Sequence, residues 1–228
     1  MRAVIPFKRA GAKSRLGALL SESERGELAL CMLRDVLATL ARSTIREVEI
    51  ITTAASADLI AVTKQQGTSN MSITVREDTR DLNDALNDLL ADEIAPILIV
   101  MADIPLALPA TINEIVAHPE EVVIVPGRKG GTNALFLRNP SAFSVSYYGT
   151  SFAKHRELAQ RRHLSFAIHD SFFISTDIDE VDDLIELLIH GNGYSTAYLR
   201  RIGVQLLMDK QAKTRAVITR SAAEEREK

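Results

Sequence analysis

Three groups of side chains carry the chemistry this sequence offers. Asp103 ends the run ILIVMADIPL, in which Ile97 to Ala102 are all apolar. Asp177 and Asp179 stand in STDIDEVDDL, just ahead of a helical pattern. Lys8, Lys13 and Arg15 fall in PFKRAGAKSRLG, near the start of the chain. Carboxylates at a strand end suit a hard cation such as magnesium, which takes carboxylate and phosphate oxygens. Lysine supplies a point charge and arginine a planar fork, so the basic loop suits a triphosphate. Carboxylates facing one another across a sheet edge would make a metal site for polyphosphate chemistry. Each piece also has a plainer reading. Asp and Pro are common in turns, acids favour the first turn of a helix, and a basic loop can simply be solvated.

Two further stretches suit small anions. GGTN, Gly130 to Asn133, and YGTS, Tyr148 to Ser151, offer backbone amides and hydroxyls at a glycine turn and a helix start. Both lie between Val122 and Arg156, a span without Asp or Glu that holds Arg128, Lys129, Arg138, Lys154 and Arg156. Met1 to Ser21 is likewise free of acids, although the net charge of the chain is −3. Acid-free basic segments in a net-acidic chain point to local anion sites and away from a dedicated nucleic-acid binder.

Other chemistries lack their residues. The basic loop is neither GxGxxG nor GxxxxGK[ST], which disfavours dinucleotide-binding dehydrogenases and P-loop enzymes. Serine hydrolysis lacks GxSxG, and the five histidines show no HExxH spacing. His118, His163, His169 and His190 receive no role, and His155, in the helix after YGTS, reads as a surface or capping residue, with contact to an anion as the alternative. The single Cys31 has no partner for a disulfide, which fits a reducing, cytoplasmic setting. No apolar stretch approaches a membrane span, and the N-terminus shows no signal-peptide pattern.

These groups need a scaffold. Arg2–Phe7, Glu47–Thr53, Ser72–Arg76, Ile97–Met101 and Val122–Val125 read as strands. Helical patterns separate them. Ser21 with Glu24 forms a capping box, Ser56 starts a helix that stops near Gly67, Asp81–Glu93 shows one leucine face, and Pro109 suits a first helical turn. This alternation predicts an α/β fold with a mixed, mostly parallel central sheet flanked by helices. Ligands of such sheets bind outside the carboxyl ends of the strands, where Asp103 and the basic loop fall. Beyond this, GRKGGTNALFLR reads as a loop entering a strand, YYGTSFAKHRELAQRR as a loop entering a basic helix, LSFAIHDSFFIST as two short strands, and DIDEVDDLIELLIHG as a helix with an acidic first turn. Residues 1–208 are expected to form one domain, and 209–228 a charged tail.

In this order, IPFK with AKSRL, LNDAL, ADIPL, GGTNALFL, YGTSFAKH and DIDEVDDL resemble the 2-phospho-L-lactate guanylyltransferases of deazaflavin coenzyme F-420 biosynthesis. The resemblance spans most of residues 1–190 and implies a single-domain, nucleotide-diphospho-sugar transferase-like fold. It implies transfer of GMP from GTP to 2-phospho-L-lactate with release of pyrophosphate, a magnesium cofactor and a homodimer. Carried onto this chain, Lys8, Lys13 and Arg15 would meet the GTP phosphates, with Ser14 in the same nucleotide loop and Leu82 and Asn83 near the ribose or base. Lys13, Arg15 and Asp103 would act in catalysis, and Asp103, Asp177 and Asp179 would hold magnesium. Thr132, Gly149 and Ser151 would bind the phospho-acid. Two departures stand out: Glu180 and Val181 replace the usual Thr-Pro after the second aspartate, and Asp81 replaces a frequent glycine before Leu-Asn. Alternatives of the same fold would use phosphoenolpyruvate, 3-phosphoglycerate, a sugar phosphate or molybdopterin; a GTP-binding regulator without catalysis is the alternative from another class.

Overall fold

A computed structural model describes residues 1–67, 70–207 and 216–221. The elements in chain order are β1 (Arg2–Phe7), α1 (Glu22–Ala41), β2 (Glu47–Thr52), α2 (Ala57–Gln66), β3 (Ser72–Glu77), α3 (Leu82–Ala91), β4 (Ile97–Val100), α4 (Pro109–Ala117) and β5 (Val122–Pro126). They continue with β6 (Thr132–Leu137), α5 (Ser151–Arg161), β7 (Phe166–Ile168), α6 (Phe172–Ser175), α7 (Asp183–His190), α8 (Tyr194–Arg201), β8 (Val204–Leu207) and β9 (Val217–Arg220). The local signals act as expected: Ser21 and Glu24 close a reciprocal capping box, Ser56 and Asp81 cap α2 and α3, and Pro109 opens α4.

Seven strands form one sheet in the order β3-β2-β1-β4-β6-β5-β7. Strands β3, β2, β1 and β4 are parallel, as are β5 and β7, while β6 runs antiparallel between β4 and β5. The sheet is thus mixed and mostly parallel. Alternate residues explain the unbroken apolar runs. Leu98 and Val100 join the core beneath α1, and Ile97 and Ile99 join the core on the other face, beneath α3 and α5. All four are fully buried, so no position along β4 can be polar until the strand ends. The chain leaves β1 toward β3 on one side and returns to β4 on the other. That reversal opens a crevice at the carboxyl ends of β1 and β4.

Two expectations change. LSFAIHDSFFIST gives one strand, β7, and then a helical turn, α6, closed by the Ser175 nitrogen donating to the Ser171 carbonyl at 2.9 Å. The acidic segment is also less helical than expected. Asp183 Oδ2 accepts from the backbone nitrogens of Asp179 (2.9 Å) and Glu180 (2.7 Å), so residues 177–181 form a loop and α7 starts only at Asp183.

After α7 the chain packs α8 against α1. The buried Asp35 of α1 accepts from the Tyr194 and Ser195 nitrogens at the start of α8, at 2.6 and 2.9 Å. A side chain at Gly193 would meet Asp35 Oδ1 at 2.1 Å, so glycine alone permits this approach. The boundary at 208–209 lies outside the described residues. Of the expected tail, 216–221 is described: β9 pairs antiparallel with β8, and Arg220 reaches Glu24 at the start of α1.

Candidate active site

The basic loop is built around one buried anchor. After β1 the chain turns through Gly11 and Lys13, both at positive φ (66° and 54°), into a 3-10 turn whose Leu16 is fully buried. Fixing Leu16 leaves Lys13 in the left-handed region, where a side chain is disfavoured and a held geometry is implied. The Lys13 ammonium points back across the crevice. It lies 2.7 Å from Asp103 Oδ2 and 2.6 Å from Asp179 Oδ1, bridging residues 90 and 166 positions away. Asp103 is delivered by β4, and its carbonyl accepts from Ile178 N at 3.0 Å, which docks the acidic loop beside it.

The electrostatics follow from burial set against charge. Burial alone would lower the Lys13 pKa, but Asp103 and Asp179 together raise it above its ordinary value. Burial likewise favours a neutral Asp179, and Lys13, Arg15 and Lys129 outweigh it to lower the pKa. Asp177 goes the other way: burial, then the charges of Asp103 and Asp179, raise it, although Arg128 N donates to its Oδ1 at 3.0 Å. The buried Asp103 Oδ1 has no hydrogen-bond partner among the described residues. Carboxylates with a spare buried oxygen and mutual repulsion fit a hard cation with oxygen ligands. Among the described residues, no three His, Cys, Asp or Glu side chains form a ready metal cage. Magnesium characteristically uses one or two carboxylates and completes its shell with phosphates and water.

Two adjoining hollows of about 460 and 430 Å³ run from this cluster along the sheet edge, sharing Pro6, Phe7, Lys8, Met101 and Tyr148. Lys13, Asp103 and Asp179 line the first; Thr52, Arg80, Asp81 and Leu82 line the second. Together they form one groove with charged side chains at both ends, Lys13, Asp103 and Asp179 at one and Asp78, Arg80 and Asp81 at the other, with Lys8 between. A larger hollow of about 620 Å³ lies elsewhere, between α1 and the chain following Asp103, and shares no lining residue with the groove.

The expected residues divide accordingly. Lys8, Lys13, Asp103, Asp179 and Leu82 line the groove, whereas Ser14 and Arg15 are exposed beside it. Glu180 holds Arg15 at 3.4 Å and Lys129 at 2.6 Å, so the unusual glutamate ties two cations together over the acidic loop. Asp177 is turned toward Arg128 N and the Asn133 amide. Asn83 is held by the fold. Its amide is occupied by the Tyr147 backbone, accepting from the nitrogen at 2.6 Å and donating to the oxygen at 3.3 Å. Asn87, one helical turn later, clasps Val145 in the same way at 2.7 and 3.1 Å. This pair on α3 holds the segment that carries Tyr148. Sequence reading passed over Asn87; its spacing of four from Asn83 on one helix face was the available signal.

Thr132, Gly149 and Ser151 do come together. The Ser151 hydroxyl donates to Thr132 Oγ1 at 3.2 Å, and Gly149 makes the turn at φ 61°. None of the three lines the groove described above. His155 joins them and corrects the surface or capping reading: it is fully buried, 3.0 Å from Thr132 Oγ1.

Comparison with known proteins decides the family. The family model described as "Guanylyl transferase CofC like" matches residues 1–221. The chain belongs to this family. It is therefore a nucleotidyltransferase. A 2-phospho-L-lactate guanylyltransferase from Methanocella arvoryzae is 44% identical over 217 residues, covering 95% of this chain and 92% of its own. One from Methanosarcina acetivorans is 47% identical over 201 residues, covering 88% and 92%. Among solved structures, one described as a nucleotide-diphospho-sugar transferase from Desulfovibrio desulfuricans has a TM-score of 0.68 at 19% identity, covering 88% of this chain and 94% of that one. A cytidylyltransferase from Leptospira borgpetersenii has a TM-score of 0.55 at 16% identity, covering 88% and 93%. Both show the nucleotide-diphospho-sugar transferase-like fold.

Proposed function

We propose that this CofC-like chain transfers GMP from GTP to the phosphate of 2-phospho-L-lactate, forming lactyl-2-diphospho-5'-guanosine and pyrophosphate. One observation carries the reading: Lys13 bridges Asp103 and Asp179 at one end of a groove, at the carboxyl ends of β1 and β4 where the strand order reverses. The relatives' shared name supplies the reaction.

The nucleophile is an acceptor phosphate oxygen that is already anionic, so no side chain need remove a proton. That oxygen attacks the α-phosphorus in line; the new P–O bond forms as the bond to the bridging oxygen of the β-phosphate breaks, and pyrophosphate leaves with the electron pair. Two polyanions must be brought together, so the task is alignment and charge neutralisation. Lys13 and Lys8 meet the triphosphate from the groove, and Arg15 closes from its rim. Leu82 packs at the nucleoside end, where Asn83 shapes the wall by clasping Tyr147. Thr132, Gly149 and Ser151 form the acceptor side. Asp103 and Asp179, with Asp177 behind them, would hold magnesium, which supplies Lewis-acid charge on phosphate oxygens. We place the enzyme in the cytoplasm as a homodimer; the supporting sequence features are its lone cysteine and its family resemblance.

The test is pyrophosphate release from GTP and magnesium with 2-phospho-L-lactate, phosphoenolpyruvate and 3-phosphoglycerate offered in parallel. Turnover with phospholactate, lost in Asp103→Asn, is the expected result. Preference for another acid would correct the acceptor, and no release with any acid from folded protein would overturn the guanylyl-transfer reading.

A further inference from the structure

The Thr132 hydroxyl ends a hydrogen-bond relay whose direction can be worked out atom by atom. His155 of α5 is completely buried, and its Nε2 lies 2.9 Å from the backbone nitrogen of Ser146. An amide N–H can only donate, so Nε2 accepts and carries no proton. Burial, and to a lesser degree the charge of Lys154, pushes the imidazole pKa down to about 4, so the ring is neutral at pH 7. Its single proton is therefore on Nδ1, which donates to Thr132 Oγ1 at 3.0 Å. The Ser151 hydroxyl donates to the same oxygen at 3.2 Å. Both lone pairs of Thr132 Oγ1 are then taken. The Thr132 proton finds no acceptor among the described residues, although Thr132 is only 3% exposed. A buried donor without an acceptor is unfavourable, and an arriving acceptor completes it.

We infer that His155 is a positioning residue for the acceptor acid: through Nδ1–H it fixes the Thr132 hydroxyl as a donor to an anionic oxygen of that acid. The inference rests on the guanylyl-transfer reading for the identity of the acid. The surroundings hold the relay in place. The rings of Tyr147 and Phe143 lie 5.1 and 6.0 Å from the imidazole centroid, and a side chain at Gly130 would meet Thr150 Cγ2 at 3.5 Å. The Ser151 hydroxyl, which donates its hydrogen bond to Thr132, serves as a support here.

Full-length protein labelled with 15N-histidine tests this directly at pH 7. The expected spectrum shows His155 as the neutral Nδ1–H tautomer, with a resonance that moves when 2-phospho-L-lactate is added. An Nε2–H tautomer, or a resonance indifferent to the acid, would overturn the inference. This readout needs no turnover, so it stays decisive even if the guanylyl-transfer reading fails; inorganic phosphate and phosphoenolpyruvate then serve as the added probes. Kinetics separate positioning from packing. His155→Asn places an amide N–H near Nδ1, whereas His155→Gln reaches Ser146 but gives Thr132 no donor. His155→Gln and Thr132→Val are expected to raise KM for the acid roughly 10- to 100-fold while leaving KM for GTP within about twofold. His155→Asn should restore most of that loss. Equal damage to both KM values in the Asn and Gln variants would mean a structural role only.

Discussion

Replacing Lys13 by methionine keeps the length of the side chain and removes its charge. The consequences can be worked from the site. The Lys13 side chain is 10% exposed, while its partners Asp103 and Asp179 are 28% and 38% exposed. Breaking a fully buried ion pair costs about 3–5 kcal/mol, and an exposed pair is worth about 0–1 kcal/mol. A buried ammonium between two half-buried carboxylates falls between these, at about 2 kcal/mol. For a chain of this length that lowers Tm by about 4–8 °C. The pKa of Lys13 is raised by the fold, so its contribution is complete below its ordinary 10.5 and fades only as pH rises through the folded value. That of Asp179 is lowered, so its share is present above 3.8 and is lost as pH falls through the folded value. The full difference is therefore expected at pH 7. Differential scanning calorimetry of both proteins in EDTA measures it, and a second scan in magnesium chloride should recover more Tm in the variant, whose carboxylates lack their counter-charge. Equal melting temperatures in EDTA would refute the claim that Lys13 holds the two carboxylates together.

Two other outcomes follow from the structure. Asn87→Ala strands the nitrogen and oxygen of the buried Val145, at a cost of about 2–3 kcal/mol; calorimetry should show the loss, and hydrogen exchange should show the Val145 amide exchanging faster. His155, with its pKa moved from 6.5 to about 4, binds its proton less readily folded than unfolded. Stability should therefore fall by roughly 2–3 kcal/mol as pH drops from about 6.5 to about 4, read by urea unfolding, and His155→Gln should flatten that slope.

Much of this protein was legible in its sequence because the signals were local. An unbroken apolar run identified β4 as a strand covered on both faces, and the capping residues Ser21, Ser56 and Asp81 marked helix starts through bonds made within one turn. The order of motifs carried the family. Local pattern could not decide LSFAIHDSFFIST, since a short apolar run such as FFIS suits a strand or a buried helical turn equally, and here it closes the turn α6. It also could not show that Asp183 would cap the 177–181 loop and delay α7.

The site shows the same division. Residue types alone named Lys13, Asp103 and Asp179, because charges at strand ends and before helices are visible in the sequence. That one ammonium bridges both carboxylates is a tertiary fact: the three residues meet only when the sheet reverses between β1 and β4 and the acidic loop docks on Asp103. The backbone clasps made by Asn83 and Asn87 and the burial of His155 were not legible, for the same reason. Their side chains bond to backbone and hydroxyl groups about 60 positions away or across a buried turn, and neither spacing nor composition records which groups folding will bring within 3 Å. The sequence by itself determined which charges exist and which strands are covered; the tertiary structure decided which of them face each other.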